Sequence, residues 1–378
     1  MPMSTIDFSI ISKRQEQLRE LLREAQLEAI AINPGPSLVY LTGFHFHLSE
    51  RPVIFLLPVK GTPSLVLPEL ESQKVASASF EILSFTYGEP LETWGPAFEA
   101  GASAVALDGL SVGVEPGNLR VLELRLLEGA APNASFVSGA DVIASLRMQK
   151  DENELNLMRE ATKIAEGALQ DTLAHVKENV SEREISGTLI RYMLERGSEG
   201  ELPFQPIIAF GANSANPHAV PSDYALQRGD LVLFDWGANY RGYFSDLTRM
   251  FALGEPEPEL RKIVEIVQQS NAAGRQRVAP GRTVGDIDSA SRGIIEEAGY
   301  GEFFTHRTGH GLGLEVHEAP YVRGDSDQIL EPGMTFTIEP GIYLNGRGGA
   351  RIEDDMVVTQ TGGESISTIS RDLGILGI

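Results

Sequence analysis

Apolar and polar positions in this chain follow two periods, and the balance between them changes near residue 145. Residues 12–25 place Leu18, Leu21, Leu22 and Ala25 on one helical face. After that, short strand-like runs alternate with helical pieces. Ala29–Ile32 and residues 38–41 read as strands across the breaker Asn33-Pro34-Gly35-Pro36. Residues 53–59 and 64–67 read as a hairpin around Lys60-Gly61. Pieces at 69–78, 81–86, 91–100, 104–108 and 117–127 continue the alternation, as expected of an α/β domain.

The second pattern begins with a long amphipathic helix over 151–179, striped by Leu155, Met158, Ala161, Thr162, Ala165, Ala168, Leu169 and Leu173. This places a boundary between domains 1–145 and 146–378. Ser181 and Glu184 form a capping-box pair that starts a helix over 182–196. Residues 203–209 are sheet-like, and two further helices are expected at 258–278 and 283–298. Two helix pairs separated by sheet segments hint at internal duplication.

Between the helix pairs lies the stretch the rest is organised around, residues 231–251 (LVLFDWGANYRGYFSDLTRMF). Leu231–Phe234 lead to Asp235, turn residues Gly237, Asn239 and Gly242 follow, and a second strand carries Asp246. Two acids on one apolar antiparallel hairpin repel, and burial raises that cost. A bound cation removes the conflict. A second hairpin is expected from residues 334–339 and 350–358, joined at Asn345-Gly346-Arg347-Gly348-Gly349 and carrying Glu339 and Glu353. Between the hairpins, Thr308-Gly309-His310-Gly311-Leu312-Gly313 sets one histidine among glycines, with His317 and Glu318 following. The run is neither G-x-G-x-x-G nor H-E-x-x-H.

Asp235, Asp246, His310, Glu339 and Glu353 thus form a hard, oxygen-rich donor set with one imidazole. It suits Mn2+, Co2+, Fe2+ or Zn2+ over Cu(I). Four carboxylates balance two divalent ions, and paired ions that acidify a shared water make the expected reaction metal-assisted hydrolysis.

Composition narrows the setting. A net charge of −22 argues against nucleic acid and anionic membranes as partners. The absence of cysteine excludes disulfides, thiolate metal sites and a cysteine nucleophile, and fits a reducing cytoplasm. The start lacks a charged-then-apolar leader, and the longest apolar run, 53–57, is too short to cross a bilayer.

The settings FDWGANYRGYFSDLTR, HRTGHGLGLEVHEAP, TIEPGIY and RIEDD resemble the metallopeptidases of the creatinase/methionine-aminopeptidase superfamily, across most of residues 145–378. Within it the chain is similar to the proline-directed branch of Xaa-Pro dipeptidases (prolidases) and Xaa-Pro aminopeptidases. YLTGF and LVLPELE carry a weaker resemblance to the N-terminal domain of that branch. The resemblance implies an α+β pita-bread catalytic domain of two related halves, preceded by a smaller α/β creatinase-type N-terminal domain that helps close the site in a homodimer. It implies two divalent ions, Mn2+ or Co2+ ahead of Zn2+ or Fe2+, on Asp235, Asp246, His310, Glu339 and Glu353. It makes Glu339 the general base, His218 a substrate contact and His317 the donor to the scissile carbonyl or its tetrahedral successor. Arg351 falls to the substrate carboxylate or to network support, with an ion pair to Asp354 or Asp355 as its alternative. His306 reads as an ordered loop residue, and His45 and His47 as exposed. Arg323 does not align as a second carboxylate-binding arginine. The implied substrates are small peptides with proline after the scissile bond, dipeptides first. Xaa-Pro aminopeptidase is the nearest alternative. Metal-free creatine-type hydrolysis and a peptide-binding relative without catalysis stand further off.

Overall fold

The structure, a computed structural model, describes residues 8–76, 78 and 80–377. Residues 1–7, which open the stretch read as leaderless, lie outside the described residues, as does Ser77 within the helical piece expected at 69–78. The chain divides into two compact units, Met1–Arg147 and Met148–Ile378.

The first unit opens with helix α1 (Phe8–Glu24) and strand β1 (Ala29–Ile32). Helix α2 (Pro36–Thr42), β2 (Ile54–Pro58), β3 (Ser64–Pro68), α3 (Ser72–Ala76) and β4 (Leu83–Tyr87) follow. It continues through α4 (Trp94–Ala104), β5 (Ser111–Val114), α5 (Val121–Ala130), β6 (Ser135–Ser138) and α6 (Ala140–Met148). One mixed sheet runs in the order β4-β3-β2-β1-β5-β6. Its central strands β1, β2 and β3 are buried at every position, so they read as apolar runs without alternation. One face packs Ala31, Leu56 and Val66 against Phe98 and Leu127 of α4 and α5.

Two expectations fail in this unit. Residues 38–41 are helical, in α2, and not a strand. Pro36 presets the first turn, and Gly43 (φ 72°) closes the last one in the left-handed conformation, its N–H donating to the Val39 carbonyl. These end signals outweigh the β-like side chains between them. Residues 104–108 also form no strand, because α4 runs on to Ala104 and the chain turns through Ala106 (φ 51°) before β5.

The second unit repeats one plan. Helices α7 (Glu152–Leu173) and α8 (Glu182–Glu195) pack together and lead to β7 (Ile207–Phe210). Capping boxes start both helices, Asp151 with Glu154 and Ser181 with Glu184. The first hairpin follows as β8 (Leu231–Trp236), β9 (Asn239–Tyr240), β10 (Tyr243–Phe244) and β11 (Leu247–Leu253). Helices α9 (Pro258–Arg277) and α10 (Val284–Glu297) then pack together, followed by β12 (Gly309–Gly311) and β13 (Glu318–Val322). The second hairpin is β14 (Thr335–Ile338), β15 (Gly341–Leu344), β16 (Gly348–Arg351) and β17 (Asp354–Val358), and the chain ends through β18 (Gly363–Ser365) and β19 (Gly374–Leu376).

Each hairpin is one ladder broken at the same relative place. In the first, Asp235 pairs with Thr248 and Trp236 with Leu247; the same register runs on through β9 and β10, which places Asp246 level with Gly237. The two aspartates are therefore diagonal neighbours and not direct cross-strand partners. In the second, Ile338 pairs with Asp354 and Gly341 with Arg351, which places Glu339 level with Glu353. Residues 350–358 are thus not one continuous strand; Ile352-Glu353 interrupts it.

Alternation then decides which way the acids face. On β8, Val232, Phe234 and Trp236 join the core under α7 and α8, and the Trp236 indole donates to the Ala165 carbonyl. Leu231, Leu233, Met250 and Ala252 pack on the other side with α9 and the β15–β16 ribbon. Asp235, Asp246 and Thr248 fall on this second side by parity, toward the other half. An isolated bridge between Thr248 and Glu353 joins the two hairpins.

Candidate metal centre

Five predicted donors converge where the hairpins meet. One donor atom from each of Asp246, His310 and Glu353 lies within 4.8 Å of the other two. His310 Nε2 stands 3.3 Å from a Glu339 carboxylate oxygen and 3.7 Å from one of Asp246. Asp235 joins from β8, its Oδ2 bound by the Arg351 guanidinium. Asp235, Asp246, His310 and Glu353 are buried, and the Glu339 side chain is only 15% exposed.

Glycine makes the placement of His310 possible. A Cβ at Gly309 would meet the Thr337 carbonyl oxygen at 1.9 Å, and one at Gly311 the Ala319 carbonyl oxygen at 2.1 Å. The close approach anticipated from these glycines is thus to neighbouring strands. A register shift between His310 and Gly311 turns the imidazole toward the acids.

Electrostatics without a cation are unfavourable throughout. Burial raises the Asp246 carboxyl well above its usual range, with repulsion from Glu353, Asp235, Asp355 and Glu339 added. Glu353 is raised well above for the same reasons, burial first and then Glu339 and Asp235. Burial also raises Asp235, opposed by Arg351. The Glu339 carboxyl is pushed up to about 7 by burial, opposed by Arg351. Burial, then His317, holds His310 well below its ordinary value.

Two observations fit this cluster to divalent cations. Asp235 Oδ1 and Asp246 Oδ1 are buried and lack a hydrogen-bond partner among the described residues. His310 Nδ1 lies 3.2 Å from the Gly311 carbonyl, which can only accept, so Nδ1 carries the proton. Nε2 is then a lone pair facing two carboxylates, an arrangement that a cation between them makes favourable.

Cross-hairpin bonds hold the donors in place. Thr248 Oγ1 donates to Glu353 Oε2 at 2.7 Å and accepts from Arg351 Nε at 3.2 Å. Asp355 Oδ2 accepts the Asp246 amide at 3.1 Å. Arg351 is buried and uses all three nitrogens: Thr248 on Nε, Tyr343 and the Pro217 carbonyl on Nη1, and Asp235 on Nη2. Neither alternative ion pair forms. Asp354 is paired with Arg249, Arg275 and Arg371; against burial, Arg249 and Arg371 with the Ser367 hydroxyl pull its carboxyl down to about 2, and Asp355 faces Thr162 and Asp246. The nitrogens of Arg351 are turned to their own partners, Asp235 among them.

His317 and His218 stand exposed at the rim. The His317 ring meets His310 edge to face at 4.1 Å. Burial, then Arg307 and His218, lowers the His317 pKa. His306 is the ordered loop histidine expected, its Nε2 on the Tyr343 hydroxyl at 2.8 Å and its Nδ1 on the Arg307 carbonyl at 2.7 Å. His45 and His47 are exposed, and Arg323 pairs with Asp325 on the surface.

Sequence reading missed Thr248, Tyr343, the bond of Asp355 to the Asp246 amide and the buried pair of Lys150 with Glu318 at 2.6 Å. Thr248 could have been found: on β11 it shares the parity of Asp246, the residue just before that strand. Lys150 carried no signal, since its partner lies 168 residues away.

Comparison with known proteins places this architecture. Metallopeptidase family M24 matches residues 156–360, and the Creatinase/Prolidase N-terminal domain matches residues 14–149. An Xaa-Pro dipeptidase of Pyrococcus horikoshii is 33% identical over 365 residues, 96% of this chain and 99% of that protein. The crystal structure of dipeptidase PepE from Mycobacterium ulcerans superposes with a TM-score of 0.92 at 31% identity, covering 99% of this chain and 100% of that one. The X-Pro aminopeptidase of Thermotoga maritima gives 0.83 at 31%, covering 96% and 99%. Among the described residues no helix is long and apolar enough to cross a membrane. The chain belongs to metallopeptidase family M24: it is a metal-dependent peptidase with a pita-bread catalytic domain behind a creatinase/prolidase-type N-terminal domain.

Proposed function

We propose that this metallopeptidase hydrolyses the bond between any residue and proline, with Xaa-Pro dipeptides as its first substrates. The observation that carries this reading is the convergence of Asp246, His310 and Glu353 with Asp235 and Glu339 in one buried cluster. The dipeptidase names of two of the compared proteins support the choice of substrate length. In this reading the five residues hold two divalent cations, Mn2+ or Co2+ ahead of Zn2+ or Fe2+. Such ions supply Lewis-acid polarisation and a water acidic enough to attack near neutral pH.

The remaining work belongs to the chain. Glu339 takes a proton from the attacking water and returns it to the departing proline nitrogen. That nitrogen has no hydrogen in the substrate, so it leaves only when protonated. His317, neutral at pH 7 because its pKa is lowered, presents an N–H to the oxyanion. His218 contacts the substrate. Arg351 keeps Asp235 in place. The reading also makes the enzyme a cytoplasmic homodimer, which light scattering and cell fractionation test.

One observation favours a second reading, the likeness to an X-Pro aminopeptidase. An assay of Ala-Pro against Ala-Pro-Ala with added Mn2+ separates the two. Hydrolysis of Ala-Pro is expected; hydrolysis of the tripeptide alone would replace the dipeptidase reading with the aminopeptidase one.

A further inference from the structure

Glu182, the first residue of α8, takes no part in the chemistry above, yet it is fully buried. Its two oxygens accept four hydrogen bonds. Oε1 accepts from the Phe210 amide at 2.7 Å and Asn213 Nδ2 at 2.9 Å; Oε2 accepts from the Ser222 amide at 2.9 Å and the Ser222 hydroxyl at 2.6 Å. All four donors are neutral. A buried anion is stable on such terms only when its acceptor sites are filled, and its place at a helix N-terminus adds to the stabilisation.

These donors belong to the two legs of one excursion of the chain. Phe210 and Asn213 lie on the outgoing leg and Ser222 on the return. The backbone of the same helix turn holds the return leg as well: the Glu182 and Arg183 amides donate to the Tyr224 and Ser222 carbonyls at 3.3 and 3.1 Å. Between the legs runs segment 214–221, which carries Asn216-Pro217-His218. It reaches the metal centre's supports. Ser214 Oγ accepts the Gly349 amide at 2.8 Å, and the Pro217 carbonyl accepts from Arg351 at 3.4 Å. His218 itself is exposed, one residue beyond the Pro217 carbonyl that Arg351 holds.

We infer that Glu182 is a positioning residue for substrate binding: by clasping the two legs that bound segment 214–221, it sets where His218 stands beside the metal centre. This rests on the reading of His218 as a substrate contact. Glutamine at position 182 would keep the size of the side chain but turn an NH2 group toward two donors, releasing one leg.

A double-mutant cycle of Glu182→Gln and His218→Ala tests this, with steady-state kinetics on whichever of Ala-Pro and Ala-Pro-Ala the wild type turns over. Metal content and melting temperature are measured alongside. His218→Ala is expected to raise KM. Glu182→Gln is expected to raise KM about 10-fold, a coupling typical of residues in one hydrogen-bond network, with metal content unchanged. In the His218→Ala background Glu182→Gln should add nothing to KM. Equal losses in both backgrounds, or an unchanged KM in Glu182→Gln, would overturn the inference while leaving His218 in its role. An unchanged KM in His218→Ala would remove the His218 reading and the inference with it. If Glu182→Gln fails to fold, Ser222→Ala and Asn213→Ala each loosen one leg in the same cycle. Each should raise KM about 3-fold in the wild-type background only, and additive effects there would overturn the inference equally.

Discussion

The two acid-bearing hairpins of the catalytic unit share one plan and solve it differently. The first spaces its acids diagonally, with Asp235 opposite Thr248 and Asp246 two residues further along the strand. The second sets Glu339 level with Glu353, at a break bounded by Pro340 and Ile352. Short aspartates on a diagonal and longer glutamates face to face reach one point between the halves. Neither hairpin holds its own acids alone. Asp235 of the first is bound by Arg351 of the second, and Glu353 of the second by Thr248 of the first. The centre is a property of the interface, and each half is an incomplete site.

The largest effect should come from deleting one donor on either side. Asp246→Ala and Glu353→Ala are each expected to abolish turnover and lower bound metal, measured by elemental analysis and an Ala-Pro assay. Activity retained in one of them would show that the hairpins do not contribute equally.

Cutting the reciprocal ties should cost less. Arg351→Met leaves Asp235 buried without its partner, so metal-free stability should fall by about 3–5 kcal/mol in denaturant unfolding. A smaller loss would show that Asp235 stands without the second hairpin.

Protonation probes the same repulsion across both hairpins. Glu339 has its folded pKa raised from 4.5 to about 7, so the folded metal-free protein binds this proton more tightly than the unfolded chain does. Its contribution is therefore fully present below 4.5 and is lost as pH rises from there through about 7, by about 3 kcal/mol in all for this group. Asp235, Asp246 and Glu353 are shifted the same way. His310, shifted down, opposes them only below about 6.5, the unperturbed histidine value. The metal-free protein should thus melt higher at pH 6.5 than at pH 8, and added Mn2+ should remove that slope.

The smallest effect is expected from Thr248→Val, which removes a hydrogen bond to Glu353 and costs about 2 kcal/mol. Melting curves with and without metal would measure it.

Much of this plan was legible in sequence because it rests on local rules. Glycine turns and apolar runs marked both hairpins, and Ser181 with Glu184 marked the start of α8. The donors stood out because each is an acid in an apolar strand or a histidine among glycines. What stayed hidden depends on contacts distant in sequence. The break at Ile352-Glu353 interrupts residues 350–358, which read as one strand. The partner of Arg351 is 116 residues away, so no spacing rule chose Asp235 over the adjacent Asp354 and Asp355. The Glu182 clasp spans up to 40 residues. In the first unit, α2 was misread because its end residues, not its β-like middle, decide the conformation.

The central claim is most directly tested by titrating the metal-free protein with Mn2+ while following ion binding and Ala-Pro hydrolysis together. Activity that rises with two bound ions per chain, and vanishes with them in Asp246→Ala, is the predicted result. Full turnover by the metal-free protein, or ion binding untouched by Asp246→Ala, would contradict it.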